Sequence, residues 1–324
     1  MHHATLSRRH LLSLLPLAAA PSLALADTSK PVEWVVGYAA GGGSDVVARM
    51  LAEAMARSME RSFVVTNKPG AGSNIAADYV AKTRDAENTV FTADSAVLAA
   101  NPFLYSKLSY SAEKDFAPVG TIARFPLVLV VSPGAQPKNY KEFVAWVKSD
   151  PKGMGYGSPG IGSPHHLVTE MFRLQTGLNI SHVPYKGAAP AMTDVVGGQL
   201  PFMFVDTSSG GAFLSSGKVR PIGVASLQRL KSMPDIPTLA EQGLDGFEAY
   251  AWQALVAPAG TNPATVRTLN KHLGDALNSA AVQSRMAALG IEPLPGTPEQ
   301  LAQFATKERE RWGRVVREAN IKLD

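Results

Sequence analysis

The chain has 324 residues, of which 45% are hydrophobic and 18% charged, with a formal net charge of +4 and no cysteine. That length and balance suit one large or two medium globular domains with a sizeable core. The missing cysteines exclude catalytic thiols, thiolate metal sites and disulfides. A mild charge without a basic run excludes an electrostatic nucleic-acid binder.

Met1 to Arg9 is basic, Leu11 to Ala20 is apolar, and Ala24-Leu25-Ala26 offers small residues for cleavage before Asp27. Residues 1–26 therefore read as an export signal peptide, cleaved after Ala26. The run Ser7-Arg8-Arg9-His10-Leu11-Leu12 looks like a twin-arginine signal, with plain secretion as the alternative. The apolar run is too short to span a bilayer, and no later stretch is long enough. A soluble, exported protein beginning near Asp27 is expected. The leader holds two of the 31 basic residues and none of the 27 acidic ones, so the mature chain carries 29 against 27.

Val32 to Gly37 predicts a buried strand and Ser44 to Ser58 an amphipathic helix, with Gly41-Gly42-Gly43 between them. Ser44 or Asp45 suits the helix cap. Glycines allow close backbone approach, and a helix start leaves N–H groups unpaired at a positive dipole end, so this turn is a seat for an anion. Nucleotide motifs fail here. Gly37, Gly42 and Ser44 fit a phosphate loop, but Gly43 stands where that loop needs lysine, and Val46 stands where a dinucleotide fingerprint needs its third glycine. No cofactor is implied.

Phe63 to Thr66 predicts a second strand, followed by the glycine-rich turn Asn67 to Asn74 and a helix through Ala76, Ala77 and Val80. Thr89 to Thr92 predicts a third, ending at Ala93-Asp94-Ser95-Ala96. Strands that each end in small or polar residues opening a helix mean α/β alternation with loops gathered at one strand end, where open sheets bind ligands. A long apolar strand, Phe125 to Val131, begins a second unit with the same alternation. In it the turn Ser158 to His166 opens a helix, Ile180 to Val183 leads to Tyr185-Lys186-Gly187, and Phe202 to Val205 ends at Asp206. Leu255 to Gly260 echoes Val130 to Gly134, each a strand followed by a proline-containing turn and a helix. These two read as hinge crossings between lobes. Helices are predicted near Ala264 to Asn278, Ala281 to Leu289 and Pro298 to Ala319, with the tail returning to the first lobe.

The triple-glycine turn, Asn67-Lys68-Pro69-Gly70-Ala71-Gly72, Lys114 to Val119, Gly162-Ser163-Pro164-His165-His166-Leu167, His182 to Gly187, Ser216 to Arg220, Pro234 to Thr238 and Ala257 to Thr261 form an ordered set. From about Pro31 to the C-terminus, that set resembles the periplasmic substrate-binding receptors of tripartite tricarboxylate transporters, the Bug proteins. The resemblance implies an α/β, two-lobed periplasmic binding protein fold of the type II-like class, with two hinge-crossing strands and a ligand cleft. Lobe 1 would comprise residues 27–124 and 249–324, and lobe 2 residues 125–248. The implied ligand is a small carboxylate (a di- or tricarboxylate, an amino acid or an aromatic acid) held largely by backbone amides and waters, and delivered to integral-membrane transporter subunits or a sensor. A periplasmic monomer that does not span the membrane is expected. The family's first strand commonly ends in proline-rich or phenylalanine-containing text. Here it ends in Gly37-Tyr38-Ala39-Ala40, so local shape differs.

The expected ligand contacts on the first lobe are Tyr38, Gly42, Gly43, Ser44, Ala71, Gly72, Ser73, Asn74 and Ser95. Asp45 is assigned to the helix, since a carboxylate repels an anion. On the second lobe, Gly162 and Ser163 would supply amides and a hydroxyl, Tyr185 would cover the ligand, and Asp206 would accept a ligand amine or hydroxyl or cap the next helix. Lys186 would attract anions or be solvated. His165 and His166 are adjacent on a helix and point in different directions, so they cannot chelate a metal as an i, i+4 pair would. The competing enzyme class is an exported serine hydrolase. Ser44, Ser73 and Ser163 are flanked by glycine but lack the G-x-S-x-G elbow. A purely structural or signalling module is the third class.

Overall fold

The computed structural model describes residues 30–323. The export signal expected over residues 1–26 lies outside the described residues. Strand β1 (Val32–Val36) lies between two apolar layers, and its side chains alternate between them. Trp34 and Val36 join a cluster with Val47, Leu51 and Met55 of α1 (Gly43–Met59), while Val35 faces Ala76, Ala77 and Val80 of α2 (Asn74–Ala81). Strands β2 (Phe63–Asn67) and β3 (Thr89–Asp94) flank β1 in parallel, as α/β alternation requires.

The next strand, β4 (Phe116–Val131), is 16 residues long and belongs to both lobes. Phe116 to Pro126 pairs antiparallel with β9 (Tyr250–Pro258), and Leu127 to Val131 pairs with β7 (Phe202–Asp206). The partner changes beside Pro126, which has no N–H to extend the ladder. The second crossing lies next to it. Ala249 N–H still donates to Ala225 O in the second lobe at 3.0 Å, and Tyr250 is already paired with Pro126. The strand expected from the sequence begins at Phe125. In the structure it extends back to Phe116, with register shifts between Pro118 and Gly120 and between Thr121 and Ala123.

Strand order is β2-β1-β3-β9-β4 in the first lobe and β4-β7-β5-β6 in the second, with β5 (Met154–Ser158) and β6 (Ile180–Pro184) parallel to β7. Strand β8 (Arg220–Val224) pairs with the second half of β4, and β10 (Glu292–Pro293) with the first. The α/β, two-lobed arrangement inferred from the sequence is the one found. Helices α8 (Pro263–Asn278) and α9 (Ala280–Ala288) share the α1 face of the first lobe. The C-terminal α10 (Pro298–Glu318) packs on β4 as expected of the tail, and also reaches α5 (Pro164–Thr176) of the second lobe. Buried Glu308 fastens it, accepting from Trp252 Nε1 at 3.0 Å and Trp312 Nε1 at 2.9 Å.

The second-lobe core is aromatic. Phe172 of α5 is fully buried, with its ring centroid 6.1 Å from Phe143, 5.6 Å from Phe204 and 5.8 Å from Phe247. Truncating it leaves a cavity that surrounding rigid rings cannot close. Phe172→Ala is expected to cost about 3–5 kcal/mol in urea unfolding monitored by tryptophan fluorescence.

Candidate functional site

The loop from β1 to α1 forms the first wall. Helix α1 begins at Gly43, with Gly42 as an N-cap that has no side-chain capping bond, so neither Ser44 nor Asp45 is the cap as expected. Asp45 sits in the first turn and reaches backward instead. Its Oδ2 accepts from Gly41 N–H and Arg49 Nε, each at 2.9 Å, and its Oδ1 accepts from Asn67 Nδ2 at 2.9 Å. Asn67 Nδ2 also donates to Tyr38 O at 2.9 Å. Burial pushes the Asp45 carboxyl up, but the bonds from Arg49, Gly41 and Asn67 outweigh it and hold the group below the usual carboxylate range. The carboxylate thereby shapes residues 38–45, where Gly41 takes φ +83°. As in any helix start, the N–H groups of Gly43 and Ser44 have no intrahelical acceptor, and here they stand at the positive end of a 17-residue helix.

Ala71, Gly72 and Ser73 make a second donor turn in an unusual way. All three have left-handed backbone, with φ of 48°, 59° and 70°. Glycine accepts this freely, but Ala71 and Ser73 each carry about 1–2 kcal/mol of strain. Such strain concentrates where successive N–H groups are turned toward a ligand. Gly37 makes room for it: a Cβ there would lie 1.6 Å from Ser73 Oγ. Asn74, expected at the ligand, is not among the residues that line the cleft. Its Oδ1 accepts from Asn101 Nδ2 at 2.6 Å and Tyr110 OH at 2.8 Å, so it braces the turn.

On the second lobe the expected amide donors are already engaged. Gly162 N–H donates to His166 Nδ1 at 3.0 Å, and Ser163 N–H donates to Gly160 O at 3.2 Å. Ser163 Oγ caps α5 by accepting from His166 N–H at 3.3 Å, which leaves its hydroxyl proton available. The adjacent histidines diverge. His166 stacks on His182 with ring centroids 3.8 Å apart, and His182 Nε2 lies 2.6 Å from Ser158 Oγ. Burial, reinforced by the neighbouring ring and Arg173, pulls His166 down to about 3, and burial pulls His182 down to about 4. His165 faces the cleft, with Nε2 3.1 Å from Asp206 Oδ2.

Asp206 realises the capping alternative. It accepts from Ser208 N–H at 3.0 Å and Ser209 N–H at 2.9 Å, and from both their hydroxyls, at the start of α7 (Thr207–Ser215). Burial raises its carboxyl, but the bonds from His165, Ser208 and Ser209 prevail and hold it well below the carboxylate range. Tyr185 is the residue expected to cover the ligand. Its hydroxyl is held by Asp194 Oδ2 at 2.6 Å, and the residue does not line the cleft.

Between the walls lies a cleft of ≈ 870 Å³. Tyr38, Gly42, Gly43, Ser44, Ala71, Gly72, Ser73, Ser95, Gly162, Ser163 and Asp206 all line it. So do residues that sequence reasoning passed over, chiefly Asp94, Trp252 and Gln253. Gln253 carried a readable signal, a glutamine inside the apolar strand 250–258. Asp94 precedes the singled-out Ser95. Its Oδ2 accepts from Tyr38 OH and its Oδ1 from Val97 N–H at 3.0 Å, and burial raises both the Tyr38 and Asp94 groups. Among the described residues, five buried side-chain polar atoms lack a hydrogen-bond partner. Four of them, Ser73 Oγ, Ser95 Oγ, His165 Nδ1 and Gln253 Oε1, belong to the cleft wall. The fifth, Asp78 Oδ1, is ion-paired with Lys82. The lining has no arginine and one lysine, Lys186, at the rim.

Two measurements check this geometry. Gly37→Ala displaces Ser73 and with it the strained turn, so ligand-induced thermal stabilisation is expected to vanish while the variant still unfolds cooperatively. The histidine pair sets a pH dependence. Unfolded, each ring titrates near 6.5; folded, near 3 and 4, so the unfolded chain binds more protons between those values. Stability is complete above about pH 7 and falls as pH drops toward 4, by up to about 1.4 kcal/mol per pH unit for each ring. Melting temperatures across that range should show the fall, and His182→Gln should flatten it.

Comparison with known proteins gives the frame for this cleft. Residues 47–321 match the sequence model described as the tripartite tricarboxylate transporter family receptor. The solved structure of the periplasmic binding protein BugD is 34% identical, with a TM-score of 0.80, covering 90% of this chain and 99% of that one. Rpa4515 of R. palustris with adipate is 32% identical at a TM-score of 0.84, covering 90% and 98%. MatC (Rpa3494) of Rhodopseudomonas palustris with bound malate is 31% identical at 0.79, covering 88% and 98%. The chain therefore belongs to the receptor family of the tripartite tricarboxylate transporters.

Proposed function

We propose that this chain is a periplasmic receptor that captures a small carboxylate between its lobes and presents it to integral-membrane transporter subunits. The observation that carries this reading is the set of unpartnered buried polar atoms, four of which belong to residues lining a single cleft. Burying such atoms without a partner costs about 1–3 kcal/mol each, so they mark where a polar ligand completes the wall. The N–H groups opening α1 and the left-handed turn at residues 71–73 supply donors for a carboxylate, with the Ser44 and Ser163 hydroxyls beside them. The relatives bound to adipate and malate support the same ligand class. The lobes correspond to residues 27–124 with 249–324 and residues 125–248, and close about the paired crossings at Pro126 and Tyr250. The mature protein follows a signal peptide cleaved after Ala26 and acts as a monomer.

A serine hydrolase is the weaker reading. His165 Nδ1 has no serine partner, and both serines on Asp206 bond the carboxylate itself. The Ser158–His182 contact belongs to residues outside the cleft lining.

A thermal-shift panel of mono-, di- and tricarboxylates tests the receptor reading. The expected outcome is a saturable rise in melting temperature for at least one acid, worth about 2.7 kcal/mol at a hundredfold excess over Kd. An inert panel, or turnover of small esters or amides, would sink it. Small-angle scattering should show the radius of gyration falling at saturating ligand.

A further inference from the structure

Two residues of the first wall offer acceptors where a carboxylate cleft needs donors. Asp94 and Gln253 are directly opposed across the β3–β9 ladder. Both are buried, 5% and 6% exposed, and both line the cleft. Gln253 Nε2 donates to Ser44 Oγ, and the same amide's Oε1 is buried in the cleft wall without a partner. An amide oxygen has no proton to give, so only a donor can satisfy it. Asp94 accepts from Tyr38 OH and Val97 N–H, and among the described residues it forms no ion pair with a lysine, arginine or histidine. A second carboxylate placed against it would be repelled at low dielectric. The same contacts direct the ligand's own carboxylate. Because Ser44 Oγ accepts from Gln253, its proton is free to join the N–H groups of Gly43 and Ser44 at the start of α1. Carboxylate seat and acceptor thus lie on the two sides of one glutamine amide, so a ligand that fills both carries a carboxylate and a donor on one short skeleton.

We propose that the ligand is a 2-substituted carboxylate whose hydroxyl or ammonium group donates to Gln253 Oε1 and Asp94 while its carboxylate lies at the N-terminus of α1. This rests on the carboxylate-receptor reading of the cleft and narrows it. The relatives' structures with adipate, which has no such donor, and malate, which has one, leave the choice to each chain's own wall residues. Gln253 is then a specificity-determining residue, and Asp94 favours an ammonium arm over a hydroxyl arm by its charge.

The test is titration calorimetry of the full mature protein with acids matched on one skeleton: propionate, lactate and alanine; succinate, malate and aspartate; glutarate, 2-hydroxyglutarate and glutamate. Within the skeleton that binds best, a hydroxy or amino acid is expected to bind at least about tenfold tighter than the unsubstituted acid, the loss for leaving one buried acceptor unmatched. Gln253→Met should bring that ratio close to one, with the variant's melting temperature checking its fold. Asp94→Asn should weaken the amino acid most. An unsubstituted acid binding as tightly as its substituted partners in the best skeleton overturns the proposal, as does a preference that survives in Gln253→Met. Either result leaves the carboxylate reading standing; only the absence of binding by every acid defeats both.

Discussion

One strand holds both lobes, and the rest of the structure follows from that constraint. Strand β4 hydrogen-bonds to β9 as far as Pro126 and to β7 from Leu127 onward. Since β9 enters the first lobe at Tyr250, opposite Pro126, the two sheets are joined at one point by two adjacent backbones. The same register brings the strand ends of both lobes to one place. Asp206 is the ladder partner of Leu127, and Asp94 is the partner of Gln253. A cleft walled by helix starts is the consequence, because each strand that ends there turns directly into a helix.

The polar groups in and around the cleft divide into those that build its loops and those left without a partner. Asp45, Asn74 and Gly162 bond to protein groups and build the loops. Asp206 does so from the cleft wall itself, capping α7 with an oxygen shared among several donors. Ser73, Ser95, His165 and Gln253, which line the cleft, each keep a buried polar atom unmatched. That arrangement is unfavourable in isolation and becomes favourable only when another molecule supplies the missing partners. The left-handed backbone at residues 71–73 is likewise unfavourable locally and is held by its packed surroundings.

Neighbouring histidines show how finely one helix sorts such roles. His165 and His166 differ by one position on α5, a step of about 100° around the axis. One ring reaches Asp206 at the cleft; the other stacks on His182 and accepts the Gly162 amide. Burial keeps the stacked pair neutral, so its rings pack closely without repulsion. Through the Gly162 amide, the pair is tied to the loop that carries Ser163.

Much of this was written locally and could be read from the chain. Apolar runs such as Val32 to Val36, breaks at Gly41 to Gly43 and Gly70 to Gly72, and the amphipathic period of α8 and α10 depend on residues a few positions apart, so the α/β alternation, the two lobes and most of the cleft-lining loops were legible. The pairing of polar groups was not. Whether the Gly162 amide serves a ligand or His166, whether the Tyr185 hydroxyl is free or bonds Asp194, and which side of the Gln253 amide finds a partner are settled by groups that no local pattern names. Hydrophobic period and turn chemistry are properties of a segment. A hydrogen bond across the cleft wall is a property of two segments brought together by β4, and only the tertiary structure decides which donor finds which acceptor.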